Sequence, residues 1–137
     1  MEAQRQKLIG KLSVYKKQKA HDITVVFDGW KRGSHTETLY IDSGIRVVYS
    51  RLGEKADIVI KRLLEDKRHY IVISSDRDIQ SYAWSHDSVP VDSEEFLRII
   101  EGETEKTSNE NTERRYKGNP LMLSKKLKAQ RKAINKL

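Results

Sequence analysis

One stretch constrains the fold more than any other: Tyr70-Ile-Val-Ile-Ser-Ser-Asp-Arg-Asp78, followed by Ile79-Gln-Ser-Tyr-Ala-Trp84. The run from Tyr70 to Ile73 is β-branched and aromatic, as a strand buried on both faces requires. Ser74 or Ser75 is expected to end it and to cap a helix carrying Ile79, Ala83 and Trp84. In an open α/β sheet, ligands bind in the crevice outside the carboxyl ends of the strands. Asp76 and Asp78 fall at that position.

The flanking segments repeat the pattern. Leu8, Leu12 and Tyr15 give residues 3–20 a helical period, with Arg5, Lys7, Lys11, Lys16, Lys17 and Lys19 off that stripe. Ile23-Thr-Val-Val-Phe27 reads as a strand buried on both sides, leaving at Asp28-Gly29. Residues 30–43 show no period and read as a loop. Gly44-Ile-Arg-Val-Val-Tyr-Ser50 reads as a second strand, and Ala56, Val59, Ile60, Leu63 and Leu64 as one helix face. Val89-Pro-Val91 is a short edge strand, where proline is tolerated. Asp92 or Ser93 then caps a helix with Phe96, Leu97, Ile99 and Ile100. Strands alternating with helices over short connections imply an α/β fold: a mostly parallel sheet flanked by helices in three layers.

Beyond Gly102 the composition changes. Residues 102–118 are rich in Glu, Thr, Ser and Asn with almost no apolar side chain, a polar linker. Residues 119–137 read as a basic helical tail with Leu123, Leu127 and Ile134 along one stripe. The chain has 27 basic and 20 acidic residues; nine of the basic ones and none of the acidic ones lie in residues 114–137. The first 113 residues therefore carry a net −2 and the last 24 a net +9, which suggests a polyanionic partner. Lys125, Lys126, Lys128, Arg131 and Lys132 are the expected nucleic-acid contacts there, giving affinity with little sequence choice. With no cysteine in 137 residues, disulfides and thiolate metal sites are excluded, and a reducing cytoplasm is the expected setting. No apolar run approaches the length of a membrane span.

The acids fall in order at the strand ends. Asp28 follows the first strand, Glu54 and Asp57 open the helix after the second, and Asp76 and Asp78 follow the third. Each alone suits a helix start, where carboxylates favour the macrodipole. Together at one sheet edge they would repel unless a cation neutralised them, and such hard oxygen ligands suit Mg²⁺ or Mn²⁺. Lys31, Arg32, Arg51 and Arg77 lie close to the same edge and could hold a substrate backbone. Trp30 suits either base stacking at the cleft mouth or packing against its loop. His21, His35, His69 and His86 show no ligand spacing, and Ser34 and Ser75 lack the company a nucleophile needs.

The order Val25-Val-Phe-Asp-Gly29, Arg51-Leu-Gly-Glu-Lys-Ala-Asp57, Ile73-Ser-Ser-Asp-Arg-Asp78 resembles the NYN branch of the PIN-like nucleases, and the YacP-like ribonucleases most. The likeness runs from about residue 3 to residue 101, an NYN/PIN-like domain over 1–101, and Lys117-Gly-Asn-Pro120 with the basic helix extends it. The resemblance implies a metal-dependent RNA endonuclease. Asp28, Asp57 and Asp76 would act most directly, with Glu54 and Asp78 completing the Mg²⁺ or Mn²⁺ site. Family members usually begin with a further strand ending in Asp-Gly-Tyr-Asn, central in their sheet between the strands that here end at Phe27 and Ile73. This chain lacks that strand. The expected explanation is a start at an internal methionine; direct pairing of the two neighbours, or cover by another copy in a homo-oligomer, are the others. The rival to a nuclease is a non-catalytic RNA- or ribosome-binding module with the same fold.

Overall fold

A computed structural model describes residues 2–29, 35–66, 68–102 and 120–137. The chain divides into two compact units, Met1–Leu63 and Leu64–Leu137.

In the first unit, helix α1 (Glu2–Lys19) precedes strands β1 (Thr24–Phe27), β2 (Thr38–Asp42) and β3 (Ile45–Tyr49), and helix α2 (Ala56–Leu64) runs to the unit boundary. The sheet order is β1-β3-β2. β3 is central: Ile45, Val47 and Val48 are all buried, so both of its faces are covered. β1 runs parallel to it, with Val25 opposite Val47 and Phe27 opposite Tyr49. The helical stripe of α1 is where its period places it, with Ile9, Leu12 and Tyr15 buried.

Two expectations fail here. Residues 38–42 are a strand, not loop, and pair antiparallel with β3. The register sets Asp42 opposite Ile45, leaving a two-residue turn at Ser43-Gly44, whose φ angles are +53° and +82°. Positive φ at both positions is the turn whose twist matches a hairpin. Two bonds from α1 fasten it: Ser13 Oγ donates to Ser43 O (2.9 Å) and Lys16 Nζ to Gly44 O (2.8 Å). Nor is β1 buried on both sides. Thr24 is exposed and Val25, Val26 and Phe27 are half-buried, because β3 is its sole strand partner among the described residues. The sheet is therefore not purely parallel.

Among the described residues, the second unit is a βαβ core with two further helices: β4 (Ile71–Ile73), α3 (Arg77–Ser85), β5 (Val89–Val91), α4 (Ser93–Ile100) and α5 (Pro120–Lys136). β4 and β5 pair in parallel, with Pro90 opposite Val72. Pro90 lacks an N–H, and the ladder bonds that close the pair come from Val89 N to Tyr70 O (2.9 Å) and Ser74 N to Val91 O (3.1 Å). Helix α5 packs on β5 through Ala133 and Ile134, which form one apolar cluster with Val91, edged by Ile71, Ile73, Val89 and Ile99. Gln130 Nε2 adds a bond to Pro90 O (3.0 Å). Of the expected stripe, Ile134 is buried and Leu127 half-buried; Leu123 is outside the described side chains, as is the expected linker beyond Gly102.

Candidate active site

On the first unit, Asp28 directly follows β1 and is exposed, and Glu54 lies in the turn that leads into α2. Buried Ser50, just past β3, joins the two segments. Its hydroxyl accepts from Gly29 N (2.8 Å) and donates to Glu54 O (2.6 Å). Ser50 N also donates to Phe27 O (3.0 Å), so the ladder carries the end of β1 up to this hydroxyl. Little in the sequence singles out Ser50. Its only signal was a small polar residue at the end of an apolar strand, a common occurrence.

Glu54 is 6% exposed. Its Oε2 receives Arg62 Nη2 at 2.8 Å and Arg51 Nε at 3.2 Å, while Oε1 is buried with no hydrogen-bond partner among the described residues. Arg62 also reaches Glu37 Oε2 at 2.8 Å. Arg51, expected to face a substrate backbone, is thus paired with Glu54 although its side chain stays 59% exposed. Asp57 sits half-buried in the first turn of α2, where a carboxylate favours the macrodipole.

On the second unit, Asp76 is the N-cap of α3. Its Oδ1 accepts from Asp78 N (2.8 Å) and Ile79 N (3.1 Å). Neither Ser74 nor Ser75 takes that place; Ser74 Oγ instead accepts from Asp76 N at 3.1 Å. Asp76, Arg77 and Asp78 are all exposed. Gln80 braces the same end, donating to Ser74 O (2.8 Å) and Asp92 Oδ1 (2.9 Å). Asp92 is the N-cap of α4 by position, but its side chain makes no capping bond.

Within either unit, no three acidic or histidine side chains among the described residues are grouped closely enough to hold a metal ion. Two histidines have ordinary local roles: Nδ1 of His69 lies 2.9 Å from Asp87 O, and Nδ1 of His86 2.9 Å from Tyr82 O. Of the expected nucleic-acid contacts, Lys125, Lys128, Arg131 and Lys132 are on α5 and all four are exposed. Lys126 lies over the Trp84 ring, 5.4 Å from its centroid. Lys31, Arg32 and Trp30 are outside the described residues.

Paired parallel strands, βαβ connectivity and acids just past the strand ends define an α/β protein of the kind that binds ligands at its strand ends. The sequence matches the YacP-like NYN domain family over residues 1–137, and the chain belongs to that family. A crystal structure of a mutant Rae1 (YacP) from Bacillus subtilis superposes with a TM-score of 0.56 at 22% identity, covering 96% of this chain and 80% of that one. At that identity the likeness speaks for the fold. No curated protein matches the chain.

Proposed function

We propose that this chain is a metal-dependent endoribonuclease that hydrolyses RNA phosphodiester bonds. Asp28, Glu54, Asp57, Asp76 and Asp78 are the carboxylates of its reaction centre, with Asp28, Asp57 and Asp76 acting most directly. One observation carries the reading: in a chain of the YacP-like NYN family, Asp28 and Asp76 each stand just past a parallel strand, where α/β sheets place their ligands. The Ser50 hydroxyl supports it by fixing the Asp28 turn and the Glu54 segment to each other.

The donor set fits a hard divalent cation, Mg²⁺ or Mn²⁺. Glu54 keeps a buried oxygen without a partner among the described residues, and Asp76 uses Oδ1 for its cap, which leaves Oδ2 for a ligand. Such an ion would neutralise charge on the phosphodiester and acidify a bound water. Asp28, Asp57 and Asp76 hold and orient; Arg77 and the α5 lysines attract the RNA backbone.

The other segments of the chain fit this reading as an NYN/PIN-like domain over 1–101, a linker over 102–118 and a basic tail over 119–137. RNA is the partner, with ribosome association and self-association as further arms of the same assays. The absence of cysteine from the sequence and of any described helix able to cross a membrane accords with work in the cytoplasm. The test is incubation of single-stranded RNA with the chain and Mn²⁺. Internal cleavage is expected, and chelation by EDTA abolishes it.

A second reading is favoured by Glu54, whose Oε2 is already held by two arginines. Here the chain keeps the fold and binds RNA without cutting it. RNA binding that persists in EDTA, with no cleavage under Mg²⁺ or Mn²⁺, selects this reading.

A further inference from the structure

The second unit contains a cleft of about 710 Å³ between α3, the start of α4 and α5, within the range of small-ligand sites. Trp84 lines it from α3, Arg98 and Glu95 from α4, and Lys126 and Gln130 from α5; Ser75 and Arg77 bring its rim to either side of Asp76. Lys126 Nζ rests over the Trp84 ring at 5.4 Å. Arg98 Nη1 stands 3.8 Å from Glu95 Oε2.

Two lining side chains have unused capacity. Glu95 Oε1 and Gln130 Oε1 are buried acceptors with no hydrogen-bond partner among the described residues. Glu95 is only 9% exposed. A buried acceptor left unpaired is costly, and a donor brought by a ligand would relieve it. The cleft thus combines an aromatic face, three cationic side chains, three acidic ones (Asp92, Glu94 and Glu95) and two acceptors awaiting a donor. That combination matches a nucleotide unit of single-stranded RNA. The base has a π-face for the indole, the backbone phosphate suits Lys126, Arg77 and Arg98, and ribose hydroxyls or base N–H groups supply the missing donors.

We infer that this cleft is a subsite for one nucleotide of a single-stranded RNA, beside the strand end that carries Asp76. Trp84 stacks on the base, and α5 closes over it through Lys126. This gives the basic helix a task beyond diffuse attraction, since it supplies one wall of a shaped site. The inference rests on the reading of the chain as acting on RNA, but not on catalysis.

The test uses the full chain with Trp30→Phe, so that Trp84 is its one indole, in EDTA with a short mixed-sequence oligoribonucleotide. Saturable quenching of Trp84 emission is expected. Binding followed by anisotropy of a labelled oligoribonucleotide weakens roughly tenfold in Trp84→Ala and recovers mostly in Trp84→Phe. Thermal melts of both variants identify any loss of folding, and the Phe variant retains most of the packing volume. Undiminished anisotropy binding with unchanged Trp84 emission overturns the subsite and leaves the RNA reading intact. No binding at all overturns both. Quenching without cleavage under Mn²⁺ keeps the subsite and overturns the hydrolase.

Discussion

At Asp76 one carboxylate caps α3 and belongs to the proposed reaction centre, and a single substitution separates those tasks. Asparagine caps a helix about as well as aspartate, whereas alanine costs about 1 kcal/mol. Asp76→Asn is therefore expected to unfold within about 0.5 kcal/mol of the parent yet to cleave RNA at least about a hundredfold more slowly. Asp76→Ala loses both activity and stability, as melting and initial rates would read. Ser50→Ala removes the hydroxyl that Gly29 N donates to and leaves that amide unpaired in a buried setting. A loss of about 1–3 kcal/mol in urea unfolding is expected. Titration adds a third check, at Asp66. The Tyr70 hydroxyl, and next the Arg68 backbone N–H, hold its carboxyl below the usual value of 3.8. A lowered carboxylate stabilises the fold above its unfolded pKa and loses that contribution as pH falls through the folded one. Tyr70→Phe should thus lose melting temperature at neutral pH, with the difference from the parent shrinking below pH 3.8.

The elements were legible where their periods were strong. Stripes at helical spacing placed α1 and α2, and apolar runs placed β3, β4 and β5 to within a residue or two. β2 was hidden because it buries almost no face: Leu39 and Ile41 are 59% and 71% exposed, and so short a run among Gly, Ser, Thr and charged residues gives no core-facing signal. Only the Ser43-Gly44 turn marks it, and it takes the register to expose that. The cap of α3 was misplaced because Ser74, Ser75 and Asp76 are all capping types, and local sequence does not fix which of three neighbours takes the extended conformation. Helix α5 shows the converse: its charge was plain, but its packing partner was not. Ile134 is 7% exposed against Val91, so Ile134→Ala should cost about 2–4 kcal/mol. It should also raise amide exchange along α5 well before that in β3.

For the whole molecule, the ordering of charge governs behaviour more than its total. Clustering +9 in the last 24 residues, on a body of −2, makes RNA affinity a matter of counterion release. A steep fall of affinity with salt is expected, and charge-neutralising changes at Lys125, Lys128 and Lys132 should flatten the slope by roughly one for each phosphate that the variant no longer neutralises. Of the candidate site, the sequence revealed the order of the acids but not their company. Arg62 reaches Glu54 from eight positions along the chain through the turn into α2, and the Ser50 bridge spans from β1 to that turn; such pairings are products of folding and leave no local signature. The proposed hydrolase requires Asp28 and Asp76 each to take part in holding a divalent ion. Mn²⁺ affinity, followed by electron paramagnetic resonance for the parent, Asp28→Asn and Asp76→Asn, tests this directly. Each variant is expected to bind Mn²⁺ at least about tenfold more weakly, with RNA cleavage falling in step. Parent-like Mn²⁺ affinity in both variants would contradict it.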